Sequence, residues 1–278
     1  MAARSEPSTC PACSSDRTYL HAWPEGMRYD RCADCACVYR VSILGQSRDE
    51  TQPYCYHRDE YAPPPSSDPV EHHRALEGHY TYILSLLDRH LPCPDPRLLD
   101  VGCGGAELLS HLAYRGLTDL VGVEPFLDND PGTPFPVHAC LLEEFARTGP
   151  DPFDVITLHA VIEHMPSPME VLKTAFGMLK PDGVILMTTA NVSAPDKRIN
   201  QQASRMGLVR RPWRTLGPSM HVVLFSMRSM ERIIERAGGE VVEVGTWSFR
   251  TKWNRLIGWI RDRLDMGSHV HAVARRRK

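Results

Sequence analysis

Residues 98–109 read Leu-Leu-Asp-Val-Gly-Cys-Gly-Gly-Ala-Glu-Leu-Leu, an apolar run that passes through a glycine loop into a helical pattern. A strand that turns directly into a helix commits the chain to a crossover connection, and so to a parallel neighbour. The chain keeps that rhythm downstream. Leu120–Val123, Val155–Leu158 and Val184–Met187 read as further strands, with helical patterns over Ala106–Arg115 and Met169–Leu179. Short apolar strands alternating with helices predict an α/β, doubly wound sheet buried on both faces. The end breaks the pattern: a helix over Met227–Arg236 precedes two strands, Glu240–Trp247 and His269–Ala274, which predict an antiparallel C-terminal hairpin closing a mostly parallel sheet.

The first 60 residues are different in kind. Cys10-Pro-Ala-Cys13 and Cys32-Ala-Asp-Cys35 are two C-x-x-C knuckles with 18 residues between Cys13 and Cys32. Two residues between thiolates let one tight turn aim both sulfurs at one ion, and two such turns complete a tetrahedron. Cys10, Cys13, Cys32 and Cys35 are therefore the expected ligands of a structural Zn2+ ribbon. Reduced cysteines or a redox dithiol are the plainer alternatives, and Cys37 stands close enough to replace Cys35. The expected organisation is a ribbon over 1–60, a Pro-rich connector over 61–70 and a catalytic domain over 71–278. A helix from Val70 to about His90 opens that domain, and a loop over 191–220 is inserted in it as a lid.

Composition narrows the function. A formal net charge of −2 and an apolar share of 42% describe an ordinary globular chain rather than one that coats nucleic acid. The opening segment MAARSEPSTC lacks the apolar core of a signal peptide, which with unpaired thiols predicts a cytoplasmic protein. No run of eighteen apolar residues suggests a membrane span.

Gly102 and Gly104 remove side chains where a ligand approaches the backbone closely. Alone, such a loop is shared by several nucleotide-binding folds. The strand Leu120–Val123, however, ends in Glu124 and Pro125, placing a carboxylate where it can accept hydrogen bonds from both hydroxyls of a ribose.

LLDVGCGGAELL, LVGVEP, FDVITLHAVIEHM, LKPDGVILMTTAN and MHVVLFSMRSMERIIERAGGEVVEV, in that order, resemble the class I methyltransferases that bind S-adenosylmethionine. The resemblance covers about residues 75–275 and implies a Rossmann-like sheet. It also implies a site in which Asp100 and the Gly102–Gly105 backbone (with Cys103) face the methionine portion, while Glu124 and Pro125 meet the ribose. Two positions depart from the family pattern. Ala106 replaces the third loop glycine, and Ala139-Cys140-Leu141 lacks the acidic residue usual beside the adenine.

Methyl transfer requires the acceptor to be aligned and, often, deprotonated, a task suited to histidine. His159, Glu163 and His164 follow the fourth strand, at the edge where open α/β sheets hold ligands. The Glu163-His164 pair is similar to the same element of quinone-biosynthesis O-methyltransferases. His221, ahead of an apolar-Phe-Ser segment, is similar to the base of zinc-ribbon deoxysugar C-methyltransferases, although Met220 stands where that family has Glu. His221, His164, His159 and Glu163 are the candidate catalytic residues; His159 equally suits packing beside the cofactor, and His164 capping of a helix.

Between Lys197 and Arg214 the inserted loop carries Lys197, Arg198, Arg205, Arg210, Arg211 and Arg214 with no acidic residue, together with Trp213. Such a cluster suits an anionic acceptor, such as a nucleotide-linked or carboxylated metabolite, or is simply a solvated basic face. The expected activity is C- or O-methylation of a small-molecule acceptor. Its rivals are an RNA methyltransferase and a non-catalytic cofactor-binding protein. Residues 1–60 argue against RNA, with seven Arg and no Lys against nine acidic residues. The oligomeric state is not encoded in any feature of the chain.

Overall fold

A computed structural model describes residues 8–22, 28–42, 68–127, 131–206, 208, 221–248 and 266–277. Arg210, Arg211, Trp213 and Arg214 lie outside these residues, as does most of the expected connector.

Helix α1 (Pro69–His90) begins two residues inside that connector. Asp68 caps it, its side chain accepting from the Val70 N–H at 2.9 Å, and Pro69 occupies the first turn, where its missing N–H costs nothing. Leu76, Tyr80, Ile83, Leu84, Leu86 and Leu87 are the buried residues of α1.

The main sheet contains strands β4 (Leu98–Val101), β5 (Leu120–Val123), β6 (Val137–His138), β7 (Phe153–His159), β8 (Leu179–Ala190), β10 (Gly239–Trp247) and β11 (His269–Arg276). Their order is β10-β11-β8-β7-β4-β5-β6. Pairing is parallel from β6 through β8, and β11 runs antiparallel to both β8 and β10. The chain reverses its winding between β4 and β7, which places the crevice for a ligand beyond their carboxyl ends. The connecting helices are α2 (Glu107–Tyr114), α3 (Leu142–Arg147), α4 (Pro168–Gly177), α5 (Pro195–Arg205) and α6 (Met227–Arg236). Helix α5 occupies the start of the expected lid loop.

Several strands run beyond their expected ends. The apolar stretch Val184–Met187 is only the centre of β8, which takes in Leu179-Lys180-Pro181-Asp182 because Leu179 pairs with Phe153. Helix α4 stops at Gly177 for the same reason.

A second sheet joins the N-terminal segment to the stretch that follows His221. Strands β1 (Thr18–Ala22), β2 (Tyr29–Cys32) and β3 (Val38–Arg40) form a meander, and β9 (Val223–Leu224) pairs with β3 antiparallel. Tyr29, Val38, Val192 and Leu224 share one small core beneath this junction. Two side-chain bonds add to it. Ser226 Oγ, capping α6, donates to the Cys35 carbonyl at 2.7 Å, and Arg236 donates to the Ala12 carbonyl at 3.0 Å.

Candidate active site and metal centre

The glycine loop is built on left-handed backbone. Gly102, Gly104 and Ala106 have φ of 70°, 58° and 66°. Ala106 therefore adopts the conformation that glycine favours and, as a non-glycine residue, carries its steric cost, on the order of 1 kcal/mol. At Gly102 the missing side chain answers to the protein as well as to a ligand. A Cβ there would lie 2.5 Å from Val161 Cγ2, so the turn after β7 packs directly on the loop after β4.

Asp100 is 4% exposed, and Thr157 Oγ1 donates to its Oδ1 at 2.6 Å. Burial, aided by the nearby carboxylates of Glu124 and Glu107, pushes its carboxyl up to about 7. Glu124 is equally buried. Its Oε2 accepts from the Gly104 N–H at 3.1 Å and its Oε1 from the Phe126 N–H at 3.0 Å. These bonds orient the carboxylate at the carboxyl end of β5. The Cys103 side chain turns away into the core against Gly122, leaving its backbone on the loop. Pro125 continues from Glu124, and Cys140 follows β6 half-buried. A group of converging carboxylates, one held short of full ionisation, suits a ligand with cationic character, and S-adenosylmethionine carries both an ammonium and a sulfonium.

Across the switch point, β7 ends in His159, whose Nδ1 shares a 2.6 Å hydrogen bond with Thr188 Oγ1 and whose ring meets Tyr80 edge-on at 5.5 Å. Burial, with His79 and His269 nearby, lowers it to about 4, so it is neutral at physiological pH. Ala160 then turns left-handed (φ 55°), and a short 3-10 turn carries Ile162, Glu163 and His164. Glu163 is 4% exposed, and its Oε2 has no hydrogen-bond partner among the described residues. Burial raises its carboxyl, with His164, Thr189 and Lys197 pulling it partly back.

His221 reaches the same place from the far side of the insertion. Its ring lies 5.1 Å from that of His164, and one ligand atom each from Glu163, His164 and His221 falls within 4.8 Å of the others. The backbone fixes this meeting: the Val222 N–H donates to the Glu163 carbonyl at 2.8 Å, and the Tyr29 hydroxyl to the His221 carbonyl at 3.0 Å.

The structure thus brings Glu163, His164 and His221 together, and sets His159 apart beside α1 and β11. Sequence reading passed over His79 and His269, which surround His159. The alternating His269-Val270-His271 of β11 was the available signal, since it puts imidazoles on one face of a central strand.

In the N-terminal meander, Cys10 Sγ and Cys35 Sγ lie 3.5 Å apart, as do Cys13 Sγ and Cys32 Sγ, and all four sulfurs fall within 4.8 Å of one another. A tetrahedral Zn2+ with ~2.3 Å bonds needs sulfurs about 3.8 Å apart, so the set fits that ion. Ser14 and Ala36, each following the second cysteine of a knuckle, are left-handed (φ 57° and 62°), giving the two turns the same shape. Cys37 is buried next to this set but is not one of the four.

Sheet order, glycine loop and carboxylate together define a Rossmann-like methyltransferase of class I. The chain belongs to the methyltransferase domain family, whose model matches residues 70–244. Among curated proteins it is similar to the ubiquinone biosynthesis O-methyltransferase of Neisseria meningitidis, 30% identical over 120 residues, covering 39% of this chain and 50% of that protein. The enzyme of the same name from Burkholderia pseudomallei is 29% identical over 132 residues, covering 45% and 57%. The chain spans about half the length of the curated relatives it matches. An S-adenosylmethionine-dependent methyltransferase from Mesorhizobium loti superposes with a TM-score of 0.50 at 16% identity, covering 69% of this chain and 96% of that one, a likeness of fold alone. No described helix is long and apolar enough to cross a membrane.

Proposed function

We propose that this chain transfers a methyl group from S-adenosylmethionine to a hydroxyl oxygen of a small-molecule acceptor. The observation that carries the reading is the convergence of Glu163, His164 and His221 on one point, with Val161 linking their turn to the glycine loop at Gly102.

Asp100 and the backbone of Gly102, Cys103 and Gly104 would hold the methionine portion, and Glu124 with Pro125 the ribose. The cofactor supplies an electrophilic methyl group. The chain's part is to align the acceptor oxygen and to take up its proton at the Glu163–His164–His221 cluster. His159, held neutral by burial, packs at the cofactor side and leaves the proton to that cluster. Lys197, partly buried and acting on Glu163 through space, supplies a cation for an acceptor with an anionic group. The four cysteines Cys10, Cys13, Cys32 and Cys35 would bind Zn2+ with no open position, so the ion serves the fold.

The relatives' printed activity supports oxygen over carbon as the methylated atom. Calorimetric titration with S-adenosylhomocysteine tests the cofactor half of the reading. Micromolar binding that Glu124→Ala weakens at least tenfold is expected; no binding by the folded wild type overturns it.

A further inference from the structure

The contact between α1 and α2 contains titratable groups that the proposed chemistry leaves unused. His72 and His73 of α1 and His111 of α2 form a run of imidazoles, with ring centroids 5.6 Å apart between the first two and 5.7 Å apart between His73 and His111. We infer that this run is an acid-sensitive latch: neutral imidazoles let the two helices close on each other, and a proton on His111 forces them apart and loosens the glycine loop at the head of α2. The effect on the loop rests on the proposed cofactor site; the latch itself does not.

Burial is the first support. His111 is 2% exposed, and neither of its ring nitrogens has a hydrogen-bond partner among the described residues. It lies in α2 with Leu108, Leu109 and Leu112, which share one apolar core with Leu76 and Tyr80 of α1. A buried polar group without a partner is costly, and a leucine at this place would avoid the cost. What an imidazole adds there is a charge that can be switched.

The surroundings are the second support. His72 Nδ1 and His73 Nδ1 are likewise buried without partners among the described residues. Tyr114 of α2 stacks on His73 at 3.9 Å, which fixes the middle ring between the helices. The charged and titratable groups acting on His111 are His72, His73 and Glu77 of α1 and Arg115 at the end of α2. Of these only Glu77 favours a cation, and it is exposed to solvent. Arg115 is bonded to Asp88 at 2.8 Å and repels one. Burial therefore lowers His111 from its ordinary 6.5, and it lowers His73 in the same direction. Both groups favour the packed helices fully above pH 6.5, and that preference is lost as the pH falls toward their folded values. An opening that frees both rings takes up two protons, so it is steeper than the titration of one.

The link to the cofactor side runs through α2. Ala106, at the N-cap of α2, is left-handed and makes no side-chain cap hydrogen bond, so the loop takes its position from the packing of that helix. Ala106 and Cys103 belong to the same apolar core as Leu76 and Leu112. Parting the helices therefore reaches Gly104, whose N–H donates to Glu124.

The test compares hydrogen exchange of the full chain at pH 7.5 and pH 5.5, each scaled to the intrinsic exchange rate at that pH. At the lower pH wild type should lose protection at least tenfold across 70–77 and 108–115. His111→Leu and His111→Phe should lose no more than about threefold. In wild type the His111 ring, followed by NMR over the same range, should stay neutral until that protection is gone. Undiminished protection of wild type at pH 5.5, an equal loss in the variants, or a His111 that takes up its proton with the helices still protected overturns the inference. Affinity for S-adenosylhomocysteine is measured at both pH values. Asp100 acts on it equally in all three proteins, so a fall with acid about threefold larger in wild type than in the variants is expected. Equal falls overturn the coupling to the loop. A folded wild type that binds no S-adenosylhomocysteine at either pH refutes the methyltransferase reading, and the exchange result still decides the latch.

Discussion

The Tyr29 hydroxyl donates a 3.0 Å hydrogen bond to the backbone carbonyl of His221, across 192 residues of sequence. Tyr29 is wholly buried in β2, and the neighbouring bond from the Arg40 N–H to the Val222 carbonyl continues the link at 2.8 Å. The cysteine-bearing meander is therefore part of the wall that holds a candidate catalytic histidine. Tyr29→Phe keeps the ring and deletes this bond. It should lower stability by about 1–2 kcal/mol, since the carbonyl loses a partner in a buried setting. Turnover should fall several-fold with S-adenosylhomocysteine affinity unchanged, because Glu124 and the glycine loop follow strands of the main sheet, whereas Tyr29 belongs to the other sheet. Unchanged turnover in a destabilised variant would show that His221 is held well enough without it.

Asp100 gives the cofactor site a pH signature. Burial raises its carboxyl from 3.8 to about 7, so in the free protein it is close to half-protonated at neutrality. A folded value above the unfolded one means that its contribution to stability is complete below pH 3.8 and is lost as the pH rises through 7. The cost at pH 8 has an upper bound of about 4 kcal/mol. A cationic ligand reverses the preference and releases the proton. The affinity for S-adenosylhomocysteine, whose ammonium remains, should therefore rise between pH 6 and pH 8. Calorimetry in buffers of different ionisation enthalpy should detect proton release at pH 7, and Asp100→Asn should abolish both effects. Equal proton release by wild type and variant would assign the proton to another group.

His159 makes the opposite prediction for acid stability. Its folded value of about 4 lies below the unfolded 6.5, owing to burial against Tyr80 and Thr188 with His79 and His269 close by. The stabilising effect of keeping it neutral is complete above pH 6.5 and disappears as the pH falls toward 4. The loss from this residue is at most about 3 kcal/mol. His269, also lowered to about 4 by burial and by Lys197, adds to it. Urea denaturation at pH 7.5 and pH 5 should show a marked loss for wild type and a smaller one for His159→Gln. An equal loss in both would place the acid sensitivity elsewhere.

The central strands were legible because each carries a short, mostly apolar run, as a parallel strand buried on two faces does. Leu98–Val101 and Leu120–Val123 have the bounds that the sequence suggests. Glu124 was readable from its position at the end of β5, and the four cysteines from their spacing. What was hidden depends on distant pairing. Val223–Leu224 is too short to announce a strand, and it becomes one only because Val38 and Tyr39 lie beside it. The same pairing delivers His221 to Glu163 and His164, a meeting that no local pattern encodes. Gly102 shows the limit in another way: its need for φ above zero was legible, but its crowding by Val161 was not.

If Cys10, Cys13, Cys32 and Cys35 hold zinc, the ion supports more than the meander. Cys35 gives its carbonyl to the Ser226 hydroxyl, which caps α6, while Ala12 accepts from Arg236 at the other end of that helix. Strand β3, which begins three residues after Cys35, pairs with β9, which begins two residues after His221. Loss of the ion should accordingly loosen the acceptor side first. The cofactor side hangs on β4 and β5, whose neighbours in the main sheet do not include the meander. A Cys10→Ser, Cys35→Ser double variant should contain one zinc fewer per chain by elemental analysis. Hydrogen exchange should show lost protection across 29–40 and 222–230. Affinity for S-adenosylhomocysteine should stay within about threefold of wild type, with turnover reduced at least tenfold. An unchanged zinc content would remove the four cysteines as ligands. Parallel loss of cofactor binding would mean that the meander supports the whole sheet rather than the acceptor wall alone.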